Sequence, residues 1–182
     1  MSKTGIFFAN GNEEIEGLTV VDILRRAGLT IESISIYDEA IVTGSHNITF
    51  QTDTTMAKAD FDSYDAIVLP GGMPGTLHFA EHEGVNSILK KFAQEGKLVC
   101  AICAAPSVLG AAGILKGKKA VCHPGFEEKL TGAEVMYDSV VTDGNIITSR
   151  GMGTAIDFAL AIVSYLKDEA TVADLKAKLV YR

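Results

Sequence analysis

Short apolar runs alternate with longer stretches of helical periodicity along this chain, and that alternation leaves few folds open. Residues 4–9, 30–37, 66–69, 97–101 and 146–148 read as strands, and the run Ala66-Ile67-Val68-Leu69 is apolar throughout. Residues 14–27, 83–94, 107–112, 154–166 and 172–179 read as helices. The first carries Ile15, Leu18, Val21 and Leu24 at helical spacing and stops at Gly28; the second stops at Gly96. Residues 40–53 read as a hairpin turning at Thr43-Gly44-Ser45-His46-Asn47, and 119–122 and 135–137 as further short strands. Parallel strands need a crossover connection, which is usually a helix. The expected fold is therefore α/β, a mostly parallel sheet with helices on both faces. No linker and no repeat interrupts the pattern, so residues 1–182 are expected to form one domain, large enough to bury a core without staples.

Charge and composition narrow the function. The net charge is −7 with no block of like charges, which gives nucleic acid no electrostatic footing. Apolar residues reach 47%, yet no apolar stretch is long enough for a membrane span. The start, Met1-Ser2-Lys3-Thr4-Gly5, runs into a strand and has no leader-like pattern, so a soluble cytoplasmic protein is expected. Three cysteines cannot pair fully, and Cys100, Cys103 and Cys122 read as reduced thiols.

In sheets of this kind the functional crevice lies beyond the C-terminal strand ends. The unusual residues fall there. Cys103 follows the run Leu98-Val99-Cys100-Ala101 and precedes Pro106, which suits the first position of a helix. Small Ala101 and Ala105 flank it at two positions' distance. This is the logic of a nucleophile elbow, a tight turn that exposes one reactive side chain. A thiol before a helix N-terminus is expected to have a lowered pKa. Two other readings of the cysteines exist. Cys100 and Cys103 form a C-x-x-C pair, and with Cys122 and His123 they could make a Cys₃His zinc set.

Glu16 lies in the run Glu13-Glu14-Ile15-Glu16 after the first strand. A carboxyl desolvated in a crevice beside a thiol has a raised pKa and can carry protons; the alternative is a solvated acidic face. Gly71-Gly72 after the 66–69 strand permits close backbone approach and an oriented N–H, as an oxyanion hole requires. His123 is either a base or a structural imidazole, and His78 and His82 read as surface residues.

Five segments together resemble one family: Ala-Asn-Gly-Asn-Glu-Glu-Ile-Glu at 9–16, Val-Leu-Pro-Gly-Gly at 68–72, Ala-Ile-Cys-Ala-Ala-Pro at 101–106, Cys-His-Pro at 122–124 and Thr-Ser-Arg-Gly-Met-Gly-Thr at 148–154. In order and spacing they look like the ThiJ/PfpI superfamily and, within it, the DJ-1-like branch of the Parkinson-disease-associated protein deglycase. The resemblance implies a flavodoxin-like three-layer sandwich that forms a homodimer. It assigns the nucleophile to Cys103, the partner acid to Glu16, the oxyanion donors to Gly72 and Ala104, and the active-site histidine to His123. It implies cofactor-free glyoxalase or deglycase activity on small carbonyl substrates, with no metal, and protection against oxidative stress. Two departures stand out. The position after the cysteine, His in the protease-like branches, is Ala104, and the hairpin arginine of the deglycase branch is His46. The expected activity is conversion of α-oxoaldehydes such as methylglyoxal to 2-hydroxy acids. The alternative is a redox sensor or stress chaperone acting through oxidation of Cys103.

Overall fold

The computed structural model describes residues 2–182, so Met1 of the N-terminal segment discussed above lies outside it. Strand β1 (Lys3–Phe8) leads into helix α1 (Glu14–Arg26) and strand β2 (Thr30–Ser35). Strands β3 (Ile41–Thr43) and β4 (Thr49–Gln51) make a separate antiparallel hairpin, followed by the two-residue β5 (Thr54–Thr55). Next come β6 (Ala66–Leu69), α2 (Gly75–Glu81), α3 (Glu83–Gln94), β7 (Leu98–Ile102) and α4 (Pro106–Ala111). Short β8 (Lys119–Ala120) and β9 (Glu134–Val135) pair with each other. The chain closes with β10 (Val140–Asp143), β11 (Ile146–Ser149), α5 (Ala155–Leu166) and α6 (Glu169–Lys178).

The main sheet has seven strands in the order β10-β11-β7-β6-β1-β2-β5. All its pairings are parallel except that of β10 with β11. Alternation along each strand divides the core between two faces. Ile6, Phe8, Val68, Cys100 and Ile147 pack with α1, α5 and α6, whereas Phe7, Ile67, Leu69, Val99 and Ala101 pack with α2, α3 and α4. The result is the expected three-layer α/β sandwich. Because β1 has β2 on one side and β6 on the other, the strand order reverses at β1, and the loops after β1 and β6 splay apart there. The loop after β7 borders the same crevice.

Several elements differ from expectation. The sequence puts the apolar stripe of α1 at Ile15, Leu18, Val21 and Ile23/Leu24. In the structure Ile15 and Leu18 are 50% and 36% exposed, while Val20, Val21, Ile23 and Leu24 are buried. The inner face is the Glu16, Val20, Ile23 and Ala27 line, shifted round the helix, and it buries Glu16 at 1% exposure. Gly17 sits on this face because a Cβ there would lie 2.2 Å from Phe8 Cε1. His82 is more than a surface residue: its side chain accepts from the Val85 N–H at the start of α3. His78 Nδ1 meets the Asn10 carbonyl at 3.0 Å, tying α2 to the loop after β1.

Candidate active site

The crevice is built from three loops laced by their own backbones. After β1, the Gly11 N–H donates to the Thr43 carbonyl at 2.8 Å and the Glu13 N–H donates to the Gly71 carbonyl at 3.0 Å. Buried Asn12 adds a side-chain bond, its Nδ2 donating to the same Gly71 oxygen at 2.9 Å. This fixes the start of α1, and hence Glu16, against the turn after β6. Gly72 has φ +88, a left-handed conformation suited to glycine, and a Cβ there would lie 2.2 Å from the Glu13 nitrogen.

Cys103 occupies the sharp turn that the sequence indicated. Its φ is +65, unusual for a residue with a Cβ and unfavourable by about 1–2 kcal/mol. Two hydrogen bonds hold it there: its N–H donates to the Ser149 carbonyl at 2.9 Å, and its carbonyl accepts from the His123 N–H at 2.8 Å. The side chain is partly exposed, whereas Cys100 and Cys122 are buried. Those two lie in different core clusters, on opposite faces of the sheet, so the Cys₃His set is not assembled, and Cys100 and Cys103 are both free thiols.

The Glu16 carboxyl reaches the thiol from below. Its Oε2 accepts from the Gly71 N–H at 2.8 Å, and the carboxyl and the Cys103 thiol are hydrogen-bond partners. Burial, aided by the charge of Glu13, pushes the Glu16 carboxyl up to about 7, against the bonds from Cys103 and Gly71. Gly71 makes the approach possible, since a Cβ there would fall 2.5 Å from Cys103 Cβ and 2.7 Å from Glu16 Oε2. Its role differs from the expected one. With its N–H spent on Glu16, Gly71 orients the acid and is not a free oxyanion donor.

The thiol also departs from expectation. Burial, then the charge and hydrogen bond of Glu16, push Cys103 up to about 12, opposed by the N–H groups of Gly72 and Ala104 aimed at the sulfur. Helix α4, which follows the turn, has only six residues. The two groups are one unit. When Glu16 holds a proton, its charge no longer opposes the thiolate and its O–H can donate to sulfur.

His123 is exposed beside this pair. Its Nδ1 lies 3.0 Å from the Pro124 carbonyl, which can only accept, so Nδ1 carries the proton and Nε2 is left free. The sequence places Asn12, Ser149 and Gly151 in the segments bordering the crevice but assigns them no role. A Cβ on Gly151 would stand 4.0 Å from Cys103 Sγ and 3.9 Å from Glu16 Oε1. The Gly-rich spacing of 151–153 was the available signal.

On the outer rim, His46 from the hairpin turn lies over the start of α1. Its N–H donates to Glu14 Oε1 at 2.8 Å, and its Nδ1 sits 3.1 Å from Glu14 Oε2 and 3.3 Å from Glu13 Oε2. Burial works against the Glu14 charge, but hydrogen bonds from its own N–H, His46 and Ile48 outweigh it and hold its pKa down. Among the described residues, Glu13, Glu14 and His46 form the one group whose potential metal-ligand atoms all lie within 4.8 Å of one another. These internal ion pairs account for that closeness.

Residues 2–165 match the model of the DJ-1/PfpI family. The chain is 42% identical to protein DJ-1 homolog B of Arabidopsis thaliana over 85% of its own length, but spans only 36% of that protein. It is 35% identical to the glutathione-independent glyoxalase DJR-1.2 of Caenorhabditis elegans, covering 85% of this chain and 83% of that one. The solved structure of oxidized DJ-1 from Toxoplasma gondii superposes with a TM-score of 0.95 at 34% identity, covering 100% of this chain and 99% of the other.

Proposed function

The chain belongs to the DJ-1/PfpI family, and from that premise we propose that it is a cofactor-independent cysteine enzyme converting small α-oxoaldehydes to 2-hydroxy acids. The observation that carries this reading is the Glu16 carboxyl buried beside Cys103 and held by the Gly71 N–H, where burial pushes its pKa up to about 7. A proton carrier must be able to hold and release its proton at the working pH.

The proposed sequence starts with the Cys103 proton passing to Glu16 as sulfur attacks the aldehyde carbon. The resulting oxyanion is met by the Gly72 and Ala104 N–H groups, which already face the sulfur, and takes the proton back from Glu16. Glu16 then removes the hydrogen of the former aldehyde carbon as a proton, giving an enediol, and delivers it to the neighbouring carbonyl carbon while the hydroxyl proton of the first carbon passes to the neighbouring oxygen. The first carbon is oxidised and the second reduced, leaving a thioester of the 2-hydroxy acid. Water displaces the sulfur, with His123 Nε2 placed to accept its proton. One water is consumed overall and no electron leaves the substrate.

The test combines mass spectrometry with product detection. Metal-stripped protein should turn methylglyoxal into lactate. The Glu16→Gln variant should form the Cys103 adduct but release no product, and near-normal turnover by it would remove Glu16 from the mechanism.

A second reading is favoured by one observation, that the Toxoplasma gondii relative was solved in an oxidized form. Here Cys103 would be oxidised to a sulfinate, with protonated Glu16 and the Gly72 and Ala104 N–H groups as donors. Peroxide titration followed by mass analysis tests it: two oxygens should appear on Cys103 before any other residue reacts.

We also read residues 1–182 as one domain of a cytoplasmic homodimer. Among the described residues no helix is long and apolar enough to cross a membrane. Ile15, Leu18 and Ile48 are exposed around an apolar groove completed by Ile156 and Leu179. Of the α1 residues Leu18, Val21, Leu24 and Gly17 that offer apolar surface for a partner, Leu18 lies on this outer face, whereas Val21, Leu24 and Gly17 are buried within the subunit.

A further inference from the structure

An open groove of about 490 Å³ adjoins the thiol, running past His123, Ser139 and the turn at 150–154. Gly151 is its inner wall. The Cβ that Gly151 lacks would stand between Cys103 Sγ, at 4.0 Å, and His123 Cδ2, at 3.5 Å. Glycine therefore leaves a passage from the sulfur into the groove.

The groove's charge is unlike that of the molecule. The chain carries −7, yet no carboxylate lines this groove, and Arg150 and His123 do. Arg150 is partly buried, and its Nη1 donates to the Tyr137 carbonyl at 3.3 Å. It takes part in none of the ion pairs found among the described residues. A guanidinium presents five N–H donors in a planar fork, and a bond to one carbonyl leaves most of them uncommitted.

We propose that this groove is an anion subsite, in which Arg150 selects α-oxoaldehydes that carry a carboxylate on the tail beyond the dicarbonyl. The proposal rests on the carbonyl chemistry argued above and names the substrate class it would favour. A carboxylate matches the guanidinium fork in shape and charge. Methylglyoxal ends in a methyl group and offers Arg150 nothing to bind. Charge-assisted hydrogen bonds of this kind correspond to a preference on the order of tenfold or more.

The test compares kcat/KM for 4,5-dioxopentanoate, which is anionic, with kcat/KM for methylglyoxal, which is neutral. Wild type should favour the anionic compound. In Arg150→Met the ratio of the two constants should fall about tenfold, chiefly through KM, and Arg150→Lys should retain part of the preference. The ratio is read within one preparation, so partial misfolding of a variant does not disturb it. An unchanged ratio in Arg150→Met would assign Arg150 to tethering Tyr137 alone and overturn the proposal.

A second readout needs no turnover. In the Glu16→Gln background, each dicarbonyl is titrated for protection of Cys103 against iodoacetamide. Stronger protection by 4,5-dioxopentanoate, lost when Arg150→Met is added, supports the subsite. Equal protection by both compounds overturns the subsite while leaving the carbonyl chemistry standing. Protection by neither overturns the carbonyl chemistry and the subsite with it.

Discussion

Replacing Glu16 by Gln should stabilise the folded chain, and only where the wild-type carboxyl is ionised. Burial is the main cause lifting this carboxyl from the ordinary 4.5 to about 7. That rise is about 2.5 pH units, and at about 1.4 kcal/mol per unit, ionisation in the native state costs about 3 kcal/mol relative to the unfolded chain. The sign follows from which state holds the proton more tightly. Between pH 4.5 and about 7 the folded chain binds more protons than the unfolded one, so wild-type stability falls as pH rises through that window and levels off above it. Gln carries no charge and still accepts from the Gly71 N–H. The variant and wild type should therefore be equally stable near pH 4 and diverge to about 2–3 kcal/mol in the variant's favour at pH 8. Urea unfolding at a series of pH values under reducing conditions measures this, with equal slopes confirming that only stability changed. A difference that does not vary with pH, or a Gln variant less stable than wild type at pH 8, would refute the reasoning.

Cys103→Ala should abolish carbonyl turnover while shifting the melting temperature little, since Ala can hold the same turn; Cys100→Ala and Cys122→Ala should keep most activity. Gly71→Ala should lose activity and about 2–3 kcal/mol of stability by denaturant titration, because its Cβ would collide with Cys103 and with the Ile102 carbonyl 2.9 Å away. Leu18→Glu should convert the proposed dimer to monomer in sedimentation at micromolar concentration; a wild type that sediments only as monomer would sink the interface.

Legibility followed burial. Ala66–Leu69 and Glu83–Gln94 were read to the residue, because a wholly apolar run ending at Pro70 and a strong helical period ending near Gly96 leave little choice. Strand β10 was missed, since its Val-Val-Thr-Asp faces solvent at the sheet edge and carries no clean alternation. Helix α2 was legible only as a helical stretch carrying His78 and His82, without bounds, because it is short and opens on glycine. The face of α1 was misread for a more interesting reason. An acid on the inner stripe masks the period, so the two exposed residues Ile15 and Leu18 looked like core. The position of Cys103 was legible, whereas the electrostatics around it were not. Gly71 donating to Glu16 and the acid pressing on the thiol are contacts between residues far apart in sequence, and spacing cannot show which of two opposing effects is larger.

The same physics explains why the candidate site stands out once the structure is in view. A hydrophobic residue at position 16 would suit the inner stripe of α1 better than a carboxyl buried at 1% exposure. A glycine at position 103 would hold φ +65 without strain. A residue with a Cβ at position 71 would lose less entropy on folding, if there were room for it. Each choice is locally unfavourable, and the three positions meet: the Gly71 N–H donates to Glu16 Oε2 at 2.8 Å, and a Cβ on Gly71 would fall 2.5 Å from Cys103 Cβ. Strain and buried acids also occur singly in ordinary cores, where they can be explained by packing. Here the three are joined, since Gly71 must lack a Cβ to make room for Cys103 and Glu16, as the cost expected for Gly71→Ala reflects. What they share is the geometry of a thiol with a protonatable acid beneath it, and the chemistry proposed at Cys103 rests on that geometry.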